Sequence, residues 1–323
     1  MLPVEERLLR AETRVLEGIH SNVKVLDVPV KDGTVHTLHV HSGTGLAPVV
    51  LIHGYFMGSA SWAHSFDSLS SSRDLYAIDW PSWGLSSPQA FPQSQSVEDC
   101  EEFFVNGIES WRQSVGLERM VLLGHSFGGY FAACYTMKYP ERVESLILAS
   151  PVGMLPQRPE ARTYEERVKS MPWWQRFLFF RVRNMWEAGW TPMDVVRLMG
   201  PFGTRLTEPR ASASCLFETY IVIFYISSYY ILEYSIVYTI SYDGESMKLK
   251  EWYIDRRFTS AREKGTLHLD PLAFAEYLRA LSARPGSERC LSQLLDFGAW
   301  AKQPVAPRLA ATKKLPKVSR SSF

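Results

Sequence analysis

Apolar and polar positions along this chain follow two patterns. Before Ser150, short uninterrupted apolar runs alternate with amphipathic stretches. Residues Glu5 to Leu16 carry Leu8, Leu9, Val15 and Leu16 among charges, which predicts an amphipathic helix. Two β-rich runs follow, Val23 to Val30 and Thr34 to Val40, joined by Lys31-Asp32-Gly33, whose Asp-Gly pair signals a hairpin at an antiparallel sheet edge. Pro48 to Ile52, Leu75 to Ile78, Met120 to Leu123 and Val143 to Ala149 are continuous apolar runs, as expected of strands covered on both faces. Helical patterns over Val97 to Val115 and Gly129 to Lys138 separate them, so the alternation predicts βαβ units and a mostly parallel sheet with helices on both faces.

After Ser150 the pattern changes. Pro151 to about Pro209 has no strand-like run and bunches Trp173, Trp174, Phe177, Leu178, Phe179, Phe180, Trp186 and Trp190, which reads as a helical cap whose aromatics pack the cap or touch lipid. Cys215 to Ile240 is rich in Tyr and Ile, and no Lys or Arg lies between Arg210 and Lys248. The expected organisation is therefore residues 1–150 as the N-terminal half of the core, 151–290 as a cap containing an atypical apolar insertion near 207–251, and 291–323 as a remnant of the C-terminal core.

Composition bounds the chemistry. With 323 residues, 46% hydrophobic and 21% charged, the chain suits one capped α/β domain. A net charge of +1 provides no field for nucleic acid, so none is expected as a partner, and lipid contact has to be local. Cys100, Cys134, Cys215 and Cys290 lie far apart with no CxxC or His/Cys cluster, so the reading assigns no metal ligands, no disulfide and no cofactor. A charged N-terminus without an apolar core argues against secretion. The expected location is the cytoplasm, with peripheral contact at lipid droplets, the endoplasmic reticulum or mitochondrial membrane.

The sharpest motif is Gly124-His125-Ser126-Phe127-Gly128-Gly129, a G-x-S-x-G that follows a strand and opens a helix. This is the nucleophile-elbow context. Ser126 is the candidate nucleophile, Gly124, Gly128 and Gly129 make room for the turn, His125 belongs to the motif, and the backbone N–H of Phe127 aims at a developing oxyanion. His53-Gly54-Tyr55-Phe56 follows the preceding strand and supplies the second oxyanion donor from Tyr55 or Phe56, with His53 orienting the loop. Asp79, in Asp79-Trp80-Pro81-Ser82-Trp83-Gly84, receives a structural role.

Together with Tyr139-Pro140-Glu141-Arg142-Val143, Trp186-Glu187, Gly200-Pro201-Phe202-Gly203, Tyr253-Ile254-Asp255-Arg256-Arg257-Phe258 and Phe297-Gly298-Ala299-Trp300-Ala301, these motifs resemble the α/β-hydrolase domain-containing 4/5 group. The resemblance runs over roughly residues 20–206 and 252–305. It implies an α/β-hydrolase fold with a helical cap and a serine esterase, lipase or lysophosphatidic-acid acyltransferase acting on glycerophospholipid acyl chains. On that reading Trp173, Trp174, Phe177 and Trp186 belong to the acyl-binding wall.

Three departures from the group's pattern stand out. The group places its acid after a late strand and its histidine near a longer C-terminus, whereas His268 alone follows Ser126 here and belongs by its neighbours to the cap. The group's acyltransferase signature, a histidine followed five positions later by aspartate, is met by none of the eight histidines. A serine without its base and acid loses on the order of 10⁴ to 10⁶ in turnover. Thr207 to Glu251 is read as a membrane helix, a lipid-docking loop, or, favoured by its Ile, Tyr, Phe and Ser content, translated non-coding sequence at a misread splice boundary. The last strands of the sheet are expected to be missing. A non-catalytic lipase regulator at a lipid surface, or a mis-spliced and non-functional product, are the alternatives.

Overall fold

The computed structural model describes residues 2–92, 96–156, 168–200, 270–297, 300–312 and 317–319. Among these residues seven strands form one sheet: β1 (Val23–Val30), β2 (Gly33–Val40), β3 (Val49–Ile52), β4 (Leu75–Ile78), β5 (Met120–His125), β6 (Val143–Ala149) and β7 (Lys317–Ser319), in the order β1-β2-β4-β3-β5-β6-β7. β1 pairs antiparallel with β2, and β2 with β4, while every pair from β4 through β7 is parallel. Val50, Leu51, Ile52, Leu75, Ala77 and Leu122 are buried, as the continuous apolar runs require of strands sandwiched between helices.

The α-helices among the described residues are α1 (Val4–Leu16), α2 (Ala63–Leu69), α3 (Val97–Ser114), α4 (Phe127–Lys138), α5 (Trp173–Glu187), α6 (Pro192–Leu198), α7 (Pro271–Ala283), α8 (Leu291–Leu294) and α9 (Val305–Ala311). Two of the helix starts have a clear local cause. Ser96 caps α3 by accepting from the Asp99 N–H, and Thr191 with Asp194 forms a reciprocal capping box with Pro192 at the first helical position of α6. Leu8, Ala11 and Val15 put the apolar face of α1 into the core, and α1 packs along α7. Arg14 adds ion pairs to Glu276 and Asp270.

One sequence expectation is corrected here. The sheet does not end at β6: Lys317–Ser319 runs parallel to it, with Ser145, Leu146 and Ile147 facing Lys317, Val318 and Ser319. α9 secures this return. Its Arg308 forks onto Glu101 of α3 at 2.7 and 2.6 Å, and Glu101 also accepts from the Tyr130 hydroxyl of α4 at 2.5 Å. Three strand residues in a basic tail carry no apolar periodicity, so the open edge of β6, not the pattern of β7, decides this pairing. The 207–251 insertion, His268, residues 201–203, residues 253–258 and the 298–299 pair lie outside the described residues. Among the described residues, no helix is long and apolar enough to cross a membrane.

Candidate active site

Among the described residues, four other than glycine have a positive φ, and they share one place in the fold. Phe56 (65°), Ser82 (59°), Ser126 (53°) and Ser150 (44°) sit in the loops that leave the C-terminal ends of β3, β4, β5 and β6. A side chain in that region costs roughly 1–3 kcal/mol, and such outliers persist where the surroundings over-determine them, most often at functional sites. The strain therefore marks one edge of the parallel sheet.

Ser126 stands at its centre. It links β5 to α4 with φ 53° and ψ −118°, and its backbone is fixed between the strand ends: its N–H donates to Ala149 O at 2.9 Å, and its carbonyl accepts from Gly129 at 3.0 Å and Val152 at 3.2 Å. The glycines explain the motif. A Cβ on Gly128 would lie 2.3 Å from the His53 carbonyl oxygen, and one on Gly54 would lie 3.0 Å from both Ser126 Cβ and His125 Nδ1. The loop after β3 is thus pressed against the elbow at Gly54. Phe127, opening α4, is buried against Trp80 and Phe131.

The elbow and its supporting loop lie within residues 47–188, which match the family model for the alpha/beta hydrolase fold. Over 203 residues the chain is 36% identical to the human 1-acylglycerol-3-phosphate O-acyltransferase ABHD5, covering 62% of this chain and 55% of that protein. It is 38% identical over 161 residues to the human (lyso)-N-acylphosphatidylethanolamine lipase, covering 50% and 44%. A relative from Caenorhabditis elegans, the abhydrolase domain-containing protein abhd-5.2, is 36% identical over 211 residues, covering 63% and 45%. The chain has the α/β-hydrolase fold and resembles ABHD4/5-type proteins over the part that matches them. The chain spans about half the length of the curated relatives it matches.

His53 holds the loop and has no free nitrogen for chemistry. Its ring is buried and stacked on Trp80 at 4.6 Å. Nδ1 bonds the Gly54 carbonyl at 2.8 Å, and Nε2 receives the Trp80 N–H at 3.4 Å. Those contacts fix the neutral Nδ1–H tautomer, and burial pushes the imidazole below its ordinary pKa despite the Asp79 carboxylate nearby. Asp79 is likewise an organiser. Its carboxylate accepts from the Ser59 N–H at 2.6 Å and the Leu85 N–H at 2.8 Å, tying the loops after β3 and β4 together.

The aromatic residues assigned to an acyl wall separate into two groups. Trp186 packs inward, donating from Nε1 to Leu295 O at 3.3 Å with its ring against Phe297. Trp173, Trp174 and Phe177 face outward on α5, Trp173 at 77% exposure and Phe177 at 64%. Among the described residues, no side chain hydrogen-bonds the Ser126 hydroxyl. The described cysteines Cys100, Cys134 and Cys290 are buried free thiols, and burial pushes the Cys100 thiol up to about 11, so they are not nucleophiles. Sequence reasoning passed over one cluster, His39, His41 and Asp74, at the far end of the sheet. Its signal was the His-x-His spacing on a strand.

Proposed function

We propose that this chain carries the nucleophilic half of a lipid acyl-ester active site. In it Ser126 Oγ attacks the carbonyl of a lysophospholipid or phospholipid acyl ester. The N–H of Phe127 and that of Tyr55 or Phe56 would stabilise the resulting oxyanion. The observation that carries this reading is the conformation of Ser126, held at φ 53° with the Gly54 backbone against it. The relatives named as an acyltransferase and a lipase agree on a phospholipid-type substrate, and the outcome, hydrolysis or acyl transfer, depends on whether water or a glycerol hydroxyl takes the acyl group. A serine so placed is activated by a base that bonds its hydroxyl. Labelling with a fluorophosphonate probe tests the elbow. Labelling that disappears in a folded Ser126→Ala variant is expected, and equal labelling of both would overturn the assignment.

A second reading draws on α5. Trp173, Trp174, Phe177 and Phe180 project outward from one helix that also bears Arg176, Arg181 and Arg183, the composition of a surface that seats in an anionic lipid interface. On this reading the chain acts at a lipid surface whether or not Ser126 turns over, as a partner of another lipase. Sedimentation with phosphatidylserine-containing vesicles is expected to persist in Ser126→Ala and to fall at least about tenfold when Trp173 and Phe177 become alanine. Unchanged binding of the double variant would remove α5 from the docking role.

A further inference from the structure

The end of the sheet opposite Ser126 carries a second cluster with its own chemistry. β2 and β4 are antiparallel, with His39 directly across from Tyr76, and that register places His41 across from Asp74, the residue preceding β4. Residues two apart on a strand share a face, so both imidazoles and the carboxylate lie on the same side of the sheet. His39 Nε2 is 3.7 Å from Asp74 Oδ2, and His41 Nδ1 is 2.8 Å from the same oxygen. All three ligating atoms lie within 4.8 Å of one another.

Three further observations point to an ion and not merely to a polar patch. Among the described residues His39 Nε2 is buried with no hydrogen-bond partner, although buried polar atoms are otherwise almost always satisfied. The Asp74 carboxylate is divided in function. Oδ1 is taken by the N–H and hydroxyl of Ser42, both at 2.8 Å, and by the Gly43 N–H at 3.3 Å, which leaves Oδ2 turned to the imidazoles, where it is hydrogen-bonded to His41 Nδ1 at 2.8 Å, a bond that a bound ion would replace. The His39 ring is clamped flat on Tyr76 at 4.2 Å and 8°. These are the outer contacts that orient metal ligands.

We propose that His39 Nε2, His41 Nδ1 and Asp74 Oδ2 form a zinc-class divalent metal site, with water completing the coordination. Zinc takes nitrogen near 2.0 Å and carboxylate oxygen near 2.1 Å, so two ligands of one tetrahedral ion lie roughly 3.3 Å apart, a value between the two distances to Oδ2. Two imidazoles with a carboxylate suit a transition ion and not calcium or magnesium, which take oxygen. Lys24, opposite His39 on β1, is a nearby cation that weakens the site without blocking it. A bound ion would fasten the loop from His41 to Ala47 onto the sheet, away from the acyl chemistry.

The test uses the tag-free 323-residue chain, with Co²⁺ as the optical probe and Zn²⁺ in calorimetric titration. One Co²⁺ per chain with the visible bands of a tetrahedral ion, displaced by Zn²⁺, is the expected result. His39→Phe, which keeps the stack on Tyr76, and His41→Ala, at an exposed position, are each expected to weaken Zn²⁺ binding at least about tenfold. A rise in Tm on adding Zn²⁺ should occur in the wild type and vanish in both variants. Absence of saturable binding, or equal affinity in wild type and a folded His41→Ala, would overturn the site.

Discussion

His36 shows how a single residue ties the N-terminal helix to the sheet. Its ring is 2% exposed on β2, with Nε2 2.8 Å from Glu12 of α1 and Nδ1 3.1 Å from Asp27 of β1. Burial opposes a charge there, but the Glu12 bond and the field of Glu12 outweigh it, and Asp79 and Asp27 add to them, so the His36 pKa is held up to about 9. The sign follows directly. The folded chain keeps a proton that the unfolded chain releases near 6.5, so this stabilisation is complete below about pH 6.5 and is lost as pH rises through about 9. The slope reaches at most about 1.4 kcal/mol per pH unit. Thermal unfolding between about pH 6 and pH 10 should show this decline in the wild type and a flatter profile in His36→Gln. A wild-type stability that does not fall over that window would contradict the charged His36.

At the scale of elements, α1 is legible in sequence as an amphipathic helix, but what it covers is not. Leu8, fully buried, lies on the face turned to the core, and α7, which packs along α1, arrives from more than two hundred residues away. Arg284, just beyond α7, returns an ion pair to Glu5 at 3.0 Å. Leu8→Ala therefore removes packing that joins the first helix to a late one, and is expected to cost about 2–5 kcal/mol in urea unfolding. A change under about 0.5 kcal/mol would mean that α1 is not docked in solution.

The whole molecule depends on its last described segments. Glu101, 7% exposed, is neutralised by Arg308 of α9, and β7 covers the edge of β6. Removing residues 305–323 leaves a buried carboxylate without its cation and an unpaired parallel edge. A loss of about 3–5 kcal/mol and concentration-dependent association are expected, read by thermal unfolding and light scattering. A monomeric truncated chain of unchanged Tm would show that α9 and β7 are dispensable. The same scale separates the two ends of the sheet, strained loops and Ser126 at one, the His39, His41 and Asp74 cluster at the other.

Six of the seven strands, and α1, α3 and α4, were determined by local pattern, because continuous apolar runs and amphipathic spacing are properties of neighbouring residues. The elbow at Ser126 was legible for the same reason: its glycines and serine are contiguous, and their spacing reflects one turn. Tertiary structure alone decided the rest. β7 forms because β6 offers a free edge, the His53 ring is held in one orientation because Gly54 and Trp80 occupy both its nitrogens, and His39 meets Asp74 only through the register of β2 on β4. Each is a contact that local pattern does not specify, and hydrophobic periodicity carries no record of which partner a residue will face once the chain has folded.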